Sequence, residues 1–224
     1  MNTLELILFD LDGTLYKSTE ILPRSYRQGI ERFLETQNID CEVPSEEQIL
    51  NQIGNPADEI YENLFPQLTS TQCKQLSREI VDELTELIRK GNGSLITGVP
   101  EVLGQLQKHY PLGLVTNARI DYMDAVVETY QLDQYFFRMK CIEMVESNKK
   151  ARLVQDMLEN AGVSAEETVL VGDRKSDYDA AQEMGTGFIG CEFGYSSRGE
   201  FPQAETIHEF RELLNHPRIE IPVA

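Results

Sequence analysis

Three short apolar runs in this chain each stop abruptly at a cluster of polar residues. Leu6-Ile7-Leu8-Phe9 ends at Asp10, Leu112-Gly113-Leu114-Val115 ends at Thr116-Asn117, and Val169-Leu170-Val171 ends at Gly172-Asp173. Apolar runs without polar alternation suit strands buried on both faces, as in a parallel sheet. Helical patterns lie between them. Val102, Leu103 and Leu106 precede the second run; Leu153, Val154, Met157, Leu158 and Ala161 precede the third, with Gly162 placed as a C-cap. Strand alternating with helix predicts an α/β, doubly wound parallel-sheet core of the Rossmann-like kind. Such sheets bind ligands beyond the carboxyl ends of their strands, where the polar clusters fall.

Residues 17–95 read differently. Ile30, Phe33 and Leu34 follow Pro23 at helical spacing, and Pro suits a first turn. Ser45-Glu46-Glu47-Gln48 and Thr69-Ser70-Thr71-Gln72 match the capping box. Leu76, Ile80, Leu84, Leu87 and Ile88 then form one stripe, ended by Gly91-Asn92-Gly93-Ser94. The expectation is an α/β core of residues 1–16 and 96–224 with an all-helical cap, residues 17–95, inserted into it.

Charge narrows the function. Twenty Lys and Arg against 38 Asp and Glu leave a net −18. That field repels nucleic acid and anionic lipid, so neither is an expected partner. A small anionic substrate needs a local cation. No segment approaches the ~20 apolar residues that span a bilayer. Met1 to Phe9 lacks a basic n-region, so a cytoplasmic location is expected. Cys41, Cys73, Cys141 and Cys191 are scattered and read as reduced thiols. His109, His208 and His216 lack metal-ligand spacing and read as surface or capping residues. Oligomeric state is not legible.

The segment Phe9-Asp10-Leu11-Asp12-Gly13-Thr14-Leu15 carries the most chemistry. Carboxylates two residues apart at a strand end can point the same way. About 4 Å apart they repel by ~4 kcal/mol at an effective dielectric near 20, which calls for a cation or a shared proton. The plainer reading is an Asp-Gly turn. Thr116-Asn117 can hold an anion's oxygens or cap a helix. Asp173 and Asp177 suit a helix N-terminus, or a hard cation such as Mg²⁺. Their joint placement at successive element ends, with Lys149-Lys150 opening a helix between them, favours one cleft over four accidents.

In these residues the chain resembles the haloacid dehalogenase-like superfamily of hydrolases. Asp10-Leu11-Asp12-Gly13-Thr14 matches its first motif, Thr116-Asn117 the second, a lysine the third, and Gly172-Asp173 with Asp177 the fourth. A helical cap between the first two motifs is similar to the phosphoglycolate phosphatase and β-phosphoglucomutase branch. The third motif departs from the Lys-Pro common there, because Lys149-Lys150-Ala151-Arg152 has no proline. Lys150 fits the helix-entry register, with Lys149 as the alternative.

The resemblance implies a fold, an activity and roles. Asp10 would be the nucleophile that forms an aspartyl-phosphate, and Asp12 the general acid and base. Asp10, Asp173 and the backbone carbonyl of Asp12 would hold Mg²⁺. Thr116, Asn117 and Lys150 would bind the phosphoryl group, and Asp177 would support the metal or orient Lys150. The dehalogenases lack the second acid, so Asp12 points to phosphoryl transfer. The expected activity is Mg²⁺-dependent hydrolysis of a small phosphorylated metabolite: phosphoglycolate, a sugar phosphate or a nucleotide monophosphate. A phosphomutase shares these motifs, and a non-catalytic phospho-binding module is the third reading. Substrate choice is expected in the cap, through Lys17, Arg24, Arg27, Arg32, Lys74, Arg78, Arg89 or Lys90, or through the helix break Ile53-Gly54-Asn55-Pro56.

Overall fold

The computed structural model describes residues 3–37, 39, 41–52, 55, 57–146, 149–196 and 199–221. The first apolar run forms strand β1 (Leu6–Phe9), and a tight loop leads to the two-residue strand β2 (Tyr16–Lys17). Four helices follow: α1 (Leu22–Gln37), α2 (Glu46–Leu50), α3 (Ala57–Leu64) and α4 (Ser70–Arg89). Both expected capping boxes are present, with Ser45 accepting from the Gln48 N–H and Thr69 from the Gln72 N–H. The stripe Leu76, Ile80, Leu84, Leu87, Ile88 is buried throughout.

The chain returns through strand β3 (Ser94–Leu95), which pairs antiparallel with β2. This corrects the expectation that residues 17–95 are wholly helical. The outgoing and incoming segments run side by side, and pairing satisfies backbone groups that two separate strands would leave open.

Helix α5 (Val99–Leu106), strand β4 (Leu112–Thr116), helix α6 (Ile120–Tyr130) and strand β5 (Arg138–Cys141) come next. Helix α7 (Lys150–Ala161) ends at Gly162 in the left-handed conformation, φ 68°, as its spacing suggested. Strand β6 (Thr168–Gly172), helix α8 (Lys175–Met184) and strands β7 (Gly187–Cys191) and β8 (Glu205–Ile207) complete the core.

All six core strands are parallel, in the order β5-β4-β1-β6-β7-β8. Ile7 and Phe9 face one hydrophobic layer with α5 and α6, while Leu6 and Leu8 face the other with α7 and α8. Covering both faces explains the unbroken apolar runs. The chain leaves β1 for β4 on one side and later for β6 on the other, so strand order reverses at β1. A crevice opens at such a reversal, beyond the carboxyl ends.

None of the four cysteines is in a disulfide, and three are buried. His208 is exposed beside Glu192, 3.2 Å away. His216, read as a surface or capping residue, caps the C-terminus of the short 3-10 turn Phe210–Asn215 and is buried rather than on the surface, and its Nδ1 accepts from the Arg218 N–H at 3.3 Å. Among the described residues no helix is long and apolar enough to cross a membrane.

Candidate active site

Strand β1 delivers Asp10 to the crevice, where its N–H donates to the Val171 carbonyl at 2.9 Å and ties it to β6. The loop then turns back on itself, Gly13 N–H to Tyr16 O at 2.8 Å and Leu15 N–H to Leu11 O at 2.9 Å. Gly13 has φ 81°. A Cβ there would also strike the Asp173 carboxylate. That position therefore requires glycine twice over, for its backbone and for the close approach of Asp173.

Asp173, at the end of β6, is fully buried. Its Oδ2 accepts from the Tyr195 N–H at 2.6 Å, and Thr14 Oγ1 lies 3.4 Å from its Oδ1. Asp177, on the first turn of α8, accepts at Oδ2 from the Arg174 N–H at 3.0 Å. Lys150, the first residue of α7, reaches in from the opposite side, bonding Asp10 and pairing with Asp177. Lys149 points outward with 71% of its side chain exposed, 3.4 Å from Glu183. Of the two candidate lysines, only Lys150 enters the crevice.

Oxygens of Asp10, Asp173 and Asp177 lie within 4.8 Å of one another. Three buried carboxylates surround one ammonium, so the cluster carries excess negative charge. Burial pushes Asp10 up to about 7, against the pull of Lys150 and helped by repulsion from Asp177. Burial, then Asp10 and Asp177, hold Asp173 well above the ordinary carboxylate range. Burial alone would lower Lys150, but Asp10 and Asp177 outweigh it and raise the ammonium. A hard-oxygen donor set with surplus charge fits a small divalent cation.

That fit has a measurable consequence. A carboxyl raised on folding contributes stability that is full below its unfolded value, 3.8 for Asp10, and is lost as pH rises through about 7. The metal-free protein is expected to melt lower at pH 8 than at pH 6. Saturating Mg²⁺ is expected to raise Tm more at pH 8, where it competes with fewer protons. Melts in EDTA and in Mg²⁺ at both pH values check this, and an equal Mg²⁺ shift would count against it.

Asp12 is set apart from the cluster. Its carboxylate turns toward α6, where the Tyr122 Oη donates to Oδ1 at 2.5 Å. Burial pushes it up to about 6, held back chiefly by that hydrogen bond. A group poised near neutrality can give and take a proton.

Thr116 and Asn117 are buried at the end of β4, and Thr116 Oγ1 accepts from the Ala118 N–H at 3.1 Å. Both line the same pocket as Asp10 and Asp12. The cap supplies much of the opposite wall, including Asn55; Ile53, Gly54 and Pro56 of the anticipated helix break lie outside the described residues. None of the eight basic cap residues lines this pocket, and all are exposed. Arg27 pairs with Glu46 and Arg32 with Glu79 and Glu83. Their helical phase turns them outward.

Sequence reasoning missed Tyr122, Tyr195 and Ser18. Tyr195 Oη accepts from the Ser18 N–H at 3.0 Å, which joins the loop after β7 to the start of the cap. A signal existed only for Tyr195, which follows the punctuating Gly194 after Phe188-Ile189.

Comparison with known proteins agrees with this architecture. The family model described as haloacid dehalogenase-like hydrolase matches residues 7–191. Phosphoglycolate phosphatase of Escherichia coli is 29% identical over 213 residues, covering 85% of this chain and 82% of that protein. The Vibrio cholerae phosphoglycolate phosphatase is 28% identical over 213 residues, covering 92% of each. A crystal structure of a predicted phosphoglycolate phosphatase from Haemophilus somnus shares the fold at TM-score 0.83 and 24% identity, over 96% of this chain and 98% of that one. CbbY from Rhodobacter sphaeroides, in complex with xylulose-(1,5)bisphosphate, shares it at TM-score 0.78 and 19% identity, over 94% and 96%. With a parallel sheet that reverses at β1 and acids at the ends of β1 and β6, this chain belongs to the haloacid dehalogenase-like hydrolases.

Proposed function

We propose that the chain is a Mg²⁺-dependent phosphatase that hydrolyses the phosphate monoester of a small metabolite through an aspartyl-phosphate on Asp10. The observation that carries this reading is the division of labour between two neighbouring acids. Asp10 sits against Lys150 in the anionic cluster, while Asp12 faces the pocket and Tyr122. One is placed to attack and the other to move a proton.

In this reading Asp10 forms the new bond to phosphorus as the bond to the leaving oxygen breaks. Asp12 gives that oxygen its proton. It then takes a proton from the water that attacks the aspartyl-phosphate, which releases phosphate and restores Asp10. Thr116 and Asn117 hold phosphoryl oxygens, and Lys150 offsets their charge. Mg²⁺, held by Asp10, Asp173 and the Asp12 carbonyl, would screen the nucleophile from the phosphate when bound. Asp177 positions Lys150 through their ion pair. Phosphate monoesters are slow enough uncatalysed to need up to ~10²¹-fold acceleration, so this concentration of charge control suits the task.

The relatives' names favour phosphoglycolate as substrate, with sugar phosphates and nucleotide monophosphates as the other candidates. Phosphate release from a panel of these compounds, in Mg²⁺ and in EDTA, tests the reading. Metal-dependent release is expected. Turnover that requires a bisphosphate activator would replace it with a phosphomutase, and silence from folded protein on all of these compounds and on benzyl phosphate as well would replace it with a binding module.

A further inference from the structure

The leaving-group side of the pocket is the side that Asp12 faces, because the group that donates the proton must touch the departing oxygen. Beyond Asp12 the cap contributes Leu22 and Tyr26 from α1, Ile60 and Tyr61 from α3, and Val81 and Leu84 from α4. Tyr26 and Tyr61 are stacked, with ring centroids 6.2 Å apart and planes 14° apart. The cavity is about 650 Å³ including its open mouth. Among the described residues its one lining cation is Arg119, whose Nη2 lies 3.2 Å from Glu143 Oε1. Glu143 is fixed in turn, since its Oε2 accepts from the Ile120 N–H at 2.8 Å. The arginine's charge is therefore balanced, while its buried Nε keeps an unused N–H.

A second anion on the substrate would enter between six apolar or aromatic side chains, with the carboxylates of Asp10 and Asp12 close by. Among the described residues the cap lines this pocket with no cation, only with the neutral polar groups of Ser18 and Asn55, and burying an unpaired charge is costly. Resting on the phosphatase reading above, we infer that the alcohol this enzyme releases is uncharged and mostly apolar or aromatic. This separates the chain from phosphoglycolate, whose carboxylate lies two atoms from the ester oxygen.

Benzyl phosphate and 4-carboxybenzyl phosphate test the inference, because both release a benzylic alcohol and differ in one carboxylate. With wild-type protein and Mg²⁺, kcat/KM is expected to favour benzyl phosphate by about 100-fold or more, and phosphoglycolate to fall with the carboxylated compound. Ile60→Lys, at a half-buried position on the wall, is expected to narrow that ratio by about tenfold, a change that simple damage to the fold would not produce. Calorimetric binding of the two benzyl compounds to the wild-type protein is expected to show the same order. Equal or carboxylate-favouring kcat/KM overturns the inference and assigns Arg119 to a second substrate anion. Preferred binding of benzyl phosphate without phosphate release from any compound upholds the pocket assignment and overturns the phosphatase reading instead.

Discussion

Asp10→Asn is expected to remove turnover, by at least about 10⁴-fold in kcat, while the protein stays folded. The amide keeps the shape of the carboxylate and loses the nucleophile, so no covalent intermediate forms. Stability is the informative control. Asp10 is one of three buried carboxylates around a single ammonium, and burial already raises it to about 7. Neutralising it relieves repulsion with Asp173 and Asp177 and leaves Lys150 paired with Asp177. Metal-free Asp10→Asn is therefore expected to melt no lower than wild type at pH 8. Lost activity with unchanged or higher Tm identifies a reacting group. Lost activity with collapse of the fold would make Asp10 a structural anchor.

Lys150→Ala is expected to show the opposite profile, losing activity and stability together. The side chain is buried and contacts both Asp10 and Asp177. Removing one partner of a buried pair leaves uncompensated charge, typically about 3–5 kcal/mol. Its loss against a phosphoryl group is expected to lower kcat by about 10²–10³-fold. Denaturant melts and initial rates in Mg²⁺ measure the two effects. Adding Asp177→Asn to Lys150→Ala is expected to recover much of the stability and none of the rate. Lys149→Ala, on the exposed neighbour, should stay within about 0.5 kcal/mol of wild type and keep full activity. Comparable losses from both lysines would contradict the placement of Lys150.

The contrast between these lysines shows where sequence reasoning works. Adjacent helical positions point about 100° apart, so one lysine at a helix entry faces inward and the other outward. The apolar stripe of α7, Leu153, Val154, Met157 and Leu158, sets that phase and is plain in the sequence. The runs of β1, β4 and β6 were equally plain, because strands covered on both faces have no polar residue to interrupt them. Strand β5 escaped notice because Arg138-Met139-Lys140-Cys141 lies at a sheet edge and keeps polar side chains. Strand β8 is another edge, three residues long. Strands β2 and β3, of two residues each, exist only through their pairing.

The site was legible in its motif residues and not in their supports. Asp10, Asp12, Thr116 and Asp173 stand at strand ends or in the loop after one, where the change from apolar to polar marks them. Tyr122 reaches Asp12 across 110 residues of sequence, and on α6 it reads as one more amphipathic position. The apolar cap wall was invisible for the opposite reason. Leu22, Val81 and Leu84 look like core residues, and only the fold shows that they also line the pocket beside Asp12. The eight basic cap residues drew attention as candidate anion readers because charge is conspicuous in a sequence and helical phase is not.

The most direct test of the central claim is acid quenching of the wild-type protein during turnover, followed by mass spectrometry of its peptides. The account predicts a phosphoryl group on the peptide carrying Asp10 in Mg²⁺, at that aspartate, and none in EDTA or in Asp10→Asn. Phosphate release with no phosphoryl-enzyme, or with the group on another residue, would contradict it.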